Sequence, residues 1–296
     1  SGATNARSNI YFNGTTLKAN VTSTDFIIGT PTNANLQIKN GGLIMDTNTF
    51  NVTINDALSN FTGHDGLLRK EGAGTLTLSA GNTYTGTTTV NGGTLALTGP
   101  GTLGTGNVIV NGILSIAGIT PASYTLGTAQ ILSGDGTITA TSKTLNVNGT
   151  LAPGNSAGSL DVTGDVVLAG TTTSNFEIAG PSSNDLLNVT GSLTYDGALN
   201  INTTETTGSF DLFNFGSLTG DFDSITLSNA FTGSLTPNGG GNWSGTDGLV
   251  IATFTGSTGV LEFSVIPEPS TLVLGGMALL GFAGVGLRRR RLTQSK

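Results

Sequence analysis

Short segments of alternating polar and apolar residues recur along this chain at nearly regular steps. The phrase Asn-Gly, one or two residues and then Leu starts at Asn91, Asn111 and Asn148, and a relative of it starts at Thr190. The first step is one unit of about 20 residues, and each of the later two steps is close to twice that length. Alternation with a period of two predicts β-strands. A repeated unit of this length is typical of a parallel β-solenoid, in which each coil stacks on the next.

The regular step also predicts the size of the solenoid and its interior. At about 20 residues per coil, the body is expected to form roughly 13 coils, and an inter-strand spacing of about 4.8 Å makes a rod on the order of 60 Å long. Leu76, Leu78, Leu95 and Leu97 are predicted to face the lumen. The chain holds 46 Gly residues, which disfavour helices. The alternative all-β fold is a sandwich of antiparallel hairpins.

The distribution of charge excludes some classes of partner. The chain has 11 basic and 18 acidic residues, and five of the basic ones lie in its last nine positions. The body is therefore strongly acidic and would be repelled by a phosphate backbone, so we expect no nucleic-acid partner. The absence of Cys rules out disulfides.

Few residues offer catalytic or metal-binding chemistry. His64 is the one histidine, and a neighbouring Asp65 does not make a triad, so we expect a loop role for it. The acidic candidates for a weak cation or carbohydrate site are Asp161 with Asp165, Asp221 with Asp223, and the isolated Asp135. We expect no catalytic residue, no metal and no cofactor, and hence a protein that is not an enzyme.

Aromatic residues are concentrated late in the body. Two uses are open for this group, a platform for sugars or a cap that closes the end of the solenoid. Its members are Phe210, Phe213, Phe215, Phe222 and Trp243.

The C-terminal segment differs in character from the rest. We divide the chain into a β-solenoid body, residues 1–264, and a tail, residues 265–296. In the tail, Pro267, Glu268 and Pro269 precede an apolar run that predicts a hydrophobic helix over residues 271–287. Arg288, Arg289, Arg290 and Arg291 follow and would hold that end on the cytoplasmic side of a bilayer. The helix would be about 26 Å long, which is adequate for a thin membrane.

One stretch of the body resembles a known repeat. Residues 66–79 read GLLRKEGAGTLTLS and residues 82–95 read NTYTGTTTVNGGTL. This pattern, over about residues 66–97, resembles the autotransporter-associated β-strand repeat, and residues 151–160 resemble autotransporter passenger domains. The resemblance implies a right-handed parallel β-helix at a cell surface or in secreted form. No membrane barrel follows the body, so the resemblance does not extend to self-export.

The order of elements in the tail resembles the PEP-CTERM sorting signal, carried here by Pro267, Glu268, Pro269 and Arg288 to Arg291. This resemblance implies an exosortase-type processing enzyme as partner. It also implies an inner-membrane helix before processing, and a final place in the envelope or exopolysaccharide-rich matrix of a Gram-negative bacterium. We therefore expect a non-catalytic surface or matrix protein, a β-helical stalk or adhesin. The alternative is a secreted polysaccharide-active lyase or hydrolase on the same β-helix.

Overall fold

The computed structural model describes residues 9–27 and 35–266, which form 28 strands and, within these ranges, no helix. The strands wind into a parallel β-solenoid with three faces. Face 1 carries β1 (Asn9–Phe12), β3 (Asn35–Ile38), β6 (Leu58–Asn60) and β13 (Ser123–Leu126). Face 2 carries β2 (Thr15–Lys18), β4 (Leu43–Asp46), β7 (Leu68–Glu71), β9 (Thr88–Val90), β11 (Val108–Val110), β14 (Ile131–Gly134), β16 (Thr150–Pro153), β18 (Thr173–Gly180), β21 (Ala198–Thr203) and β24 (Ser224–Asn229).

Face 3 is built first from short strands and then from long, bent ones. The short strands are β5 (Val52–Ile54), β8 (Thr75–Leu78), β10 (Thr94–Gly99) and β12 (Ile113–Ile119). The long strands are β15 (Thr137–Val147), β17 (Ser159–Leu168), β20 (Leu186–Tyr195) and β23 (Phe213–Gly220). The second half of β15 pairs with β13, so each long strand continues from face 3 onto face 1 of the next coil.

The solenoid has about nine turns, fewer than the roughly 13 expected from coils of about 20 residues. Coil length varies: the coil that joins Ile131 to its paired residue Thr150 is much shorter than the coil that joins Thr15 to its paired residue Leu43. In addition, the end of the body forms no coils at all. Fewer turns form because some coils are longer than 20 residues and because the residues at the end of the body lie outside the coils.

The parallel register confirms the predicted solenoid and shows that the hairpin sandwich is wrong for the coils. Leu76 is paired with Leu95, and Leu95 with Leu114, all in parallel strands. The four leucines that alternation placed in the lumen are between 0% and 1% exposed. Burying a leucine side chain stabilises a fold by about 1.5–3 kcal/mol, so these stacks of apolar residues are the main source of stability. The right-handed sense of the winding stays a prediction from the resemblance.

The corner that carries the Asn-Gly phrase needs glycine for a steric reason. Gly93 has a φ of +58°, in the left-handed region that favours glycine. A Cβ atom at Gly93 would also collide with the carbonyl oxygens of Gly72 and Gly74 in the preceding coil. The Asn-Gly-Gly sequence at Asn91 therefore marks a turn where two successive coils come into close contact.

An antiparallel cap closes the last coil. Its strands are β25 (Gly233–Gly239), β26 (Asn242–Asp247), β27 (Val250–Thr255), β28 (Val260–Val265) and β22 (Gly208–Asp211). Below it lies a cluster of rings in which Tyr195 stacks on Phe222, with 4.4 Å between the ring centroids, and both contact Phe213 and Phe254. Phe210, Phe213, Phe222 and Trp243 are all at most 5% exposed. Of the two uses predicted for the late aromatic residues, the structure therefore supports the cap.

Candidate functional site

His64 occupies a corner turn between face 1 and face 2. Its backbone N–H donates a hydrogen bond to the Phe61 carbonyl, and its Nδ1 accepts one from the backbone N–H of Asn40 in the preceding coil, 3.3 Å away. The Oδ1 atom of the neighbouring Asp65 accepts a long hydrogen bond from the Thr85 hydroxyl, at 3.4 Å. The histidine thus connects two coils, which fits the loop role expected from the sequence.

The two predicted acid pairs are not brought together as pairs. Asp161 lies on the face 3 half of β17, where its Oδ1 accepts hydrogen bonds from Ser159 Oγ and Asn188 Nδ2. Asp165 lies past the bend of the same strand, and its Oδ1 accepts from the Ser192 N–H. The two carboxylates therefore bond to different residues of the next coil, Asp161 to Asn188 and Asp165 to Ser192.

Asp221 and Asp223 lie between β23 and β24 rather than on one strand. Asp221 Oδ1 accepts a hydrogen bond from Trp243 Nε1 at 2.9 Å, whereas the Asp223 side chain is exposed. Asp135 is exposed as well, beside Gly158 of the next coil. Within residues 9–27 and 35–266, no group of three or more His, Cys, Asp or Glu residues is placed to hold a metal ion.

Lys70, in the predicted repeat, is fully buried in the lumen, a position that sequence reasoning missed. It is stacked between Met45 and Val90 of the neighbouring coils. Its ammonium donates hydrogen bonds to the carbonyl oxygens of Glu71, Gly72 and Gly92, at 2.9, 2.8 and 2.9 Å. Burial lowers the pKa of Lys70 to about 8, while the charges of Asp46 and Glu71 act in the opposite direction. The lysine therefore ties two coils together at the Gly-rich corner.

Polar ladders run along the outside of the coils. Asn91 Nδ2 donates to Glu71 Oε1 at 2.8 Å, and Asn111 Nδ2 donates to Asn91 Oδ1 at 3.3 Å. A second ladder on face 3 joins Asp161, Asn188 and Asn214. These side chains thus satisfy one another's hydrogen bonds from coil to coil.

Three extended corner loops border two cavities on the surface of the described residues. They are residues 154–158, 181–185 and 204–212, all between face 2 and face 3 in successive coils. The second includes the two-residue strand β19 (Ser183–Asn184), which pairs with β18, and the third includes β22 of the cap. In repeat proteins, insertions of this kind often form the binding face. A cavity of about 510 Å³ opens between the loops, lined by Ser and Asn residues with Asp211, and one of about 470 Å³ lies against residues 153–156.

Asp185 lines the second of these cavities and was also not singled out from the sequence. It is 5% exposed, and its carboxylate accepts hydrogen bonds from the backbone N–H groups of Glu177 at 2.8 Å and Gly158 at 3.2 Å. Burial raises the pKa of Asp185, while the two N–H groups act against this. With both oxygens used by the backbone, the carboxylate holds the loops together. The sequence could not single out Asp185, because Asn and Asp residues occur in many of the turns of this chain.

The sorting-signal residues Pro267, Glu268, Pro269 and Arg288 to Arg291, and the helix predicted over residues 271–287, lie outside the described residues. Within the described ranges, no helix is long and apolar enough to cross a bilayer. At the start of the tail, the Ile266 N–H donates a hydrogen bond of 2.7 Å to the Leu249 carbonyl.

Two segments of the chain match known families. Residues 68–97, which contain Lys70 and the Gly-rich corner, match the passenger-associated-transport-repeat family. Residues 265–291 match the PEP-CTERM protein-sorting motif. A search of the curated proteins finds no match to the chain. Together the two segments and the β-helix point to an exported protein of the cell envelope or extracellular space of Gram-negative bacteria, and the tail implies processing by an exosortase-type system.

Proposed function

We propose that the chain is a non-catalytic surface or matrix protein, a β-helical stalk or adhesin delivered by its C-terminal tail. The observation that carries the proposal is the combination of a capped, passenger-like solenoid with a sorting motif that begins at its last strand. The outer faces of the coils consist of hydrogen-bonded ladders, which suits a rigid spacer.

The proposal includes a membrane stage. The apolar run of the tail would hold the chain in the inner membrane, with its arginines on the cytoplasmic side, until an exosortase-type enzyme processes it. The body would then join the envelope or an exopolysaccharide-rich matrix. Arginine is costly at the centre of a bilayer, by about 2.5–3.5 kcal/mol per residue, so the cluster would fix the orientation.

Cell fractionation in a host that makes an exosortase tests this proposal. An epitope tag inserted between Gly240 and Gly241 would disturb little, because added Cβ atoms there would contact almost nothing. We expect the tagged full-length chain in the envelope or medium, and a chain ending at Ile266 to be lost from the surface. A control that replaces Lys296 with Gln keeps the arginines and should behave like the full-length chain. Surface delivery of the chain ending at Ile266 would contradict the proposal.

The enzyme alternative is tested separately. Purified protein is incubated with acidic and neutral polysaccharides, and reducing and unsaturated sugars are measured. We expect no release above a heat-denatured control. Sustained release that is lost in Asp185→Asn or Asp211→Asn would favour the polysaccharide-active enzyme, since these carboxylates border the loop cavities.

A further inference from the structure

Two aromatic rings and a lysine form a patch on the outside of the first three coils. Tyr11 lies on β1 and is 47% exposed, although its neighbour Phe12 is buried in the lumen. Its ring meets that of Phe61 edge-on, with 5.3 Å between centroids. The Nζ atom of Lys39 lies 5.1 Å from the centroid of Tyr11 and 4.4 Å from that of Phe61. We call Tyr11, Lys39 and Phe61 the aromatic–lysine patch.

The β-ladder of face 1 places these residues together. The Lys39 N–H donates to the Phe12 carbonyl at 2.8 Å, and the Phe61 N–H donates to the Ile38 carbonyl at 2.9 Å. Pairing therefore continues past β3 and β6 to the corner, and the side chains of successive coils lie side by side. Backbone hydrogen bonds therefore fix the relative positions of the residues that carry the patch.

Lys39 differs from the other exposed cations in its partners. Lys18 pairs with Asp46, Arg69 pairs with Glu71, and Lys143 donates to the Pro121 carbonyl. An ammonium has three N–H donors, and Lys39 uses none of them within the described residues, where it contacts only rings. Among the described residues, Lys39 is thus the one surface cation without a polar partner. In a strongly acidic body, such a cation suits a ligand with one localised negative charge per unit. Nucleic acid requires several cations along its phosphates.

His64 adds a polar edge beside the rings. Its ring lies 5.3 Å from that of Phe61. Because Nδ1 accepts from the Asn40 N–H, the neutral imidazole carries its proton on Nε2, which is not hydrogen-bonded within the described part of the chain. The patch thus offers apolar ring faces, an ammonium and a further N–H donor.

We propose that the aromatic–lysine patch binds an acidic polysaccharide through its uronate units. The carboxylate of a uronate pairs with the Lys39 ammonium, and the apolar C–H face of the sugar ring packs on the exposed ring of Tyr11. The hydroxyl groups of the sugar accept from His64 Nε2. This inference rests on the proposed matrix role and names its ligand class and site.

Calorimetric titration of the full-length protein in detergent with polygalacturonate tests the proposal. We expect binding at low salt that weakens as salt rises, and no binding of neutral dextran. Lys39→Gln and Tyr11→Ala should each weaken binding about tenfold, the loss of one contact of this kind. The matched control Lys143→Gln removes a different exposed cation and should bind as the wild type does. Thermal unfolding and circular dichroism of every variant should match the wild type, because Tyr11 and Lys39 lie outside the lumen.

Several outcomes would overturn the proposal. It fails if polygalacturonate does not bind, or if Lys39→Gln and Tyr11→Ala bind as tightly as Lys143→Gln. Equal binding of poly-glutamate would show that the site takes an acidic peptide. The surface delivery of Lys39→Gln separates the two claims: this variant should reach the envelope like the wild type, because delivery depends on the tail. If the wild-type chain itself is not delivered by its tail, the proposed function fails and this site does not.

Discussion

The indole Nε1 of Trp243 donates a hydrogen bond to the Asp221 carboxylate over 2.9 Å, and this bond joins the cap to the last coil. Asp221 Oδ1 also accepts from the Phe222 N–H, and the Phe222 ring stacks on Tyr195 inside the lumen. A single carboxylate oxygen therefore positions both the cap strand β26 and the ring cluster below it. Without such a closure, the lumen of the final coil would be open to water.

The first prediction concerns this closure. Trp243→Phe keeps a buried ring but removes the donor, and hydrogen bonds to charged groups contribute about 1.5–3 kcal/mol. We expect a loss of stability of that size in denaturant unfolding, and a similar loss in Asp221→Ala. The double variant should lose little more than either single one, because both remove the same bond. Asp223→Ala is the control, since its side chain is exposed. Full additivity would mean that the bond does not couple cap and coil.

Two buried tyrosines make a matched pair for a second prediction. The Tyr84 hydroxyl lies 2.7 Å from Thr88 Oγ1, whereas the Tyr195 hydroxyl has no hydrogen-bond partner among the described residues. Tyr84→Phe should therefore destabilise the protein by about 1–3 kcal/mol, because it also leaves the buried Thr88 hydroxyl unpaired. Tyr195→Phe should be neutral or stabilising. Equal destabilisation of the two variants in thermal unfolding would contradict this assignment.

The third prediction tests the inward face of β8. Leu76→Asp places an unpaired charge in the lumen and should cost several kcal/mol. Thr77→Asp, one position along the same strand, points outward and should change stability by about 1 kcal/mol or less. The measurement is the midpoint of thermal unfolding for both variants. Similar midpoints would mean that β8 does not alternate as described.

A fourth prediction follows from the lowered pKa of Lys70, about 8 against a usual value of 10.5. Between these values the unfolded chain binds the extra proton, so the contribution of Lys70 to stability rises as pH increases from about 8 to 10.5. Lys70→Met removes this titration and resembles Met45, the residue at the same position in the preceding coil. From about pH 8 to 10.5, the unfolding free energy of the wild type should therefore increase relative to that of Lys70→Met.

All other titrating groups are common to both proteins, so their effects cancel in that difference. A constant difference between pH 8 and 10.5 would show that the carbonyls of Glu71, Gly72 and Gly92 hold the ammonium protonated against burial. A wild type that loses stability relative to Lys70→Met over this pH range would likewise mean that the ammonium stays protonated in the folded protein.

The repeated pattern predicted the coils well, for a physical reason. In Thr75-Leu76-Thr77-Leu78, alternation alone decides which side chains enter the lumen, and the Asn-Gly-Gly corner admits only glycine at Gly93 because of the coil beneath it. Coil number was overestimated because the corner loops at residues 154–158, 181–185 and 204–212 consist mostly of the small and polar residue types found in the other turns, so nothing in the sequence marks these corners as longer.

The residues that were missed depend on contacts between coils. Because Lys70 is charged, the sequence alone would place it on the surface. Only its register between Met45 and Val90 shows that it is buried. Tyr11, Lys39 and Phe61 lie in three different coils and are far apart in sequence, and their proximity follows from coil lengths that cannot be read from one sequence. The late aromatic cluster indicated a cap as one of its two possible uses. The antiparallel pairing of the cap could not be predicted, because its strands alternate in the same way as those of the coils.

The measurement that tests the central claim most directly is the C-terminal residue of the protein recovered from the surface of its native host. The last strand, β28, is paired with β27 and β22 and is followed by a bonded Ile266. We therefore expect a processing enzyme to cut after this residue and not within the body. Mass spectrometry of the surface form should find a C-terminus close to Pro267, Glu268 and Pro269, with the arginine cluster absent. Mature surface protein that ends at Lys296 would contradict the account, because the tail would then be a permanent part of the protein and not a sorting signal.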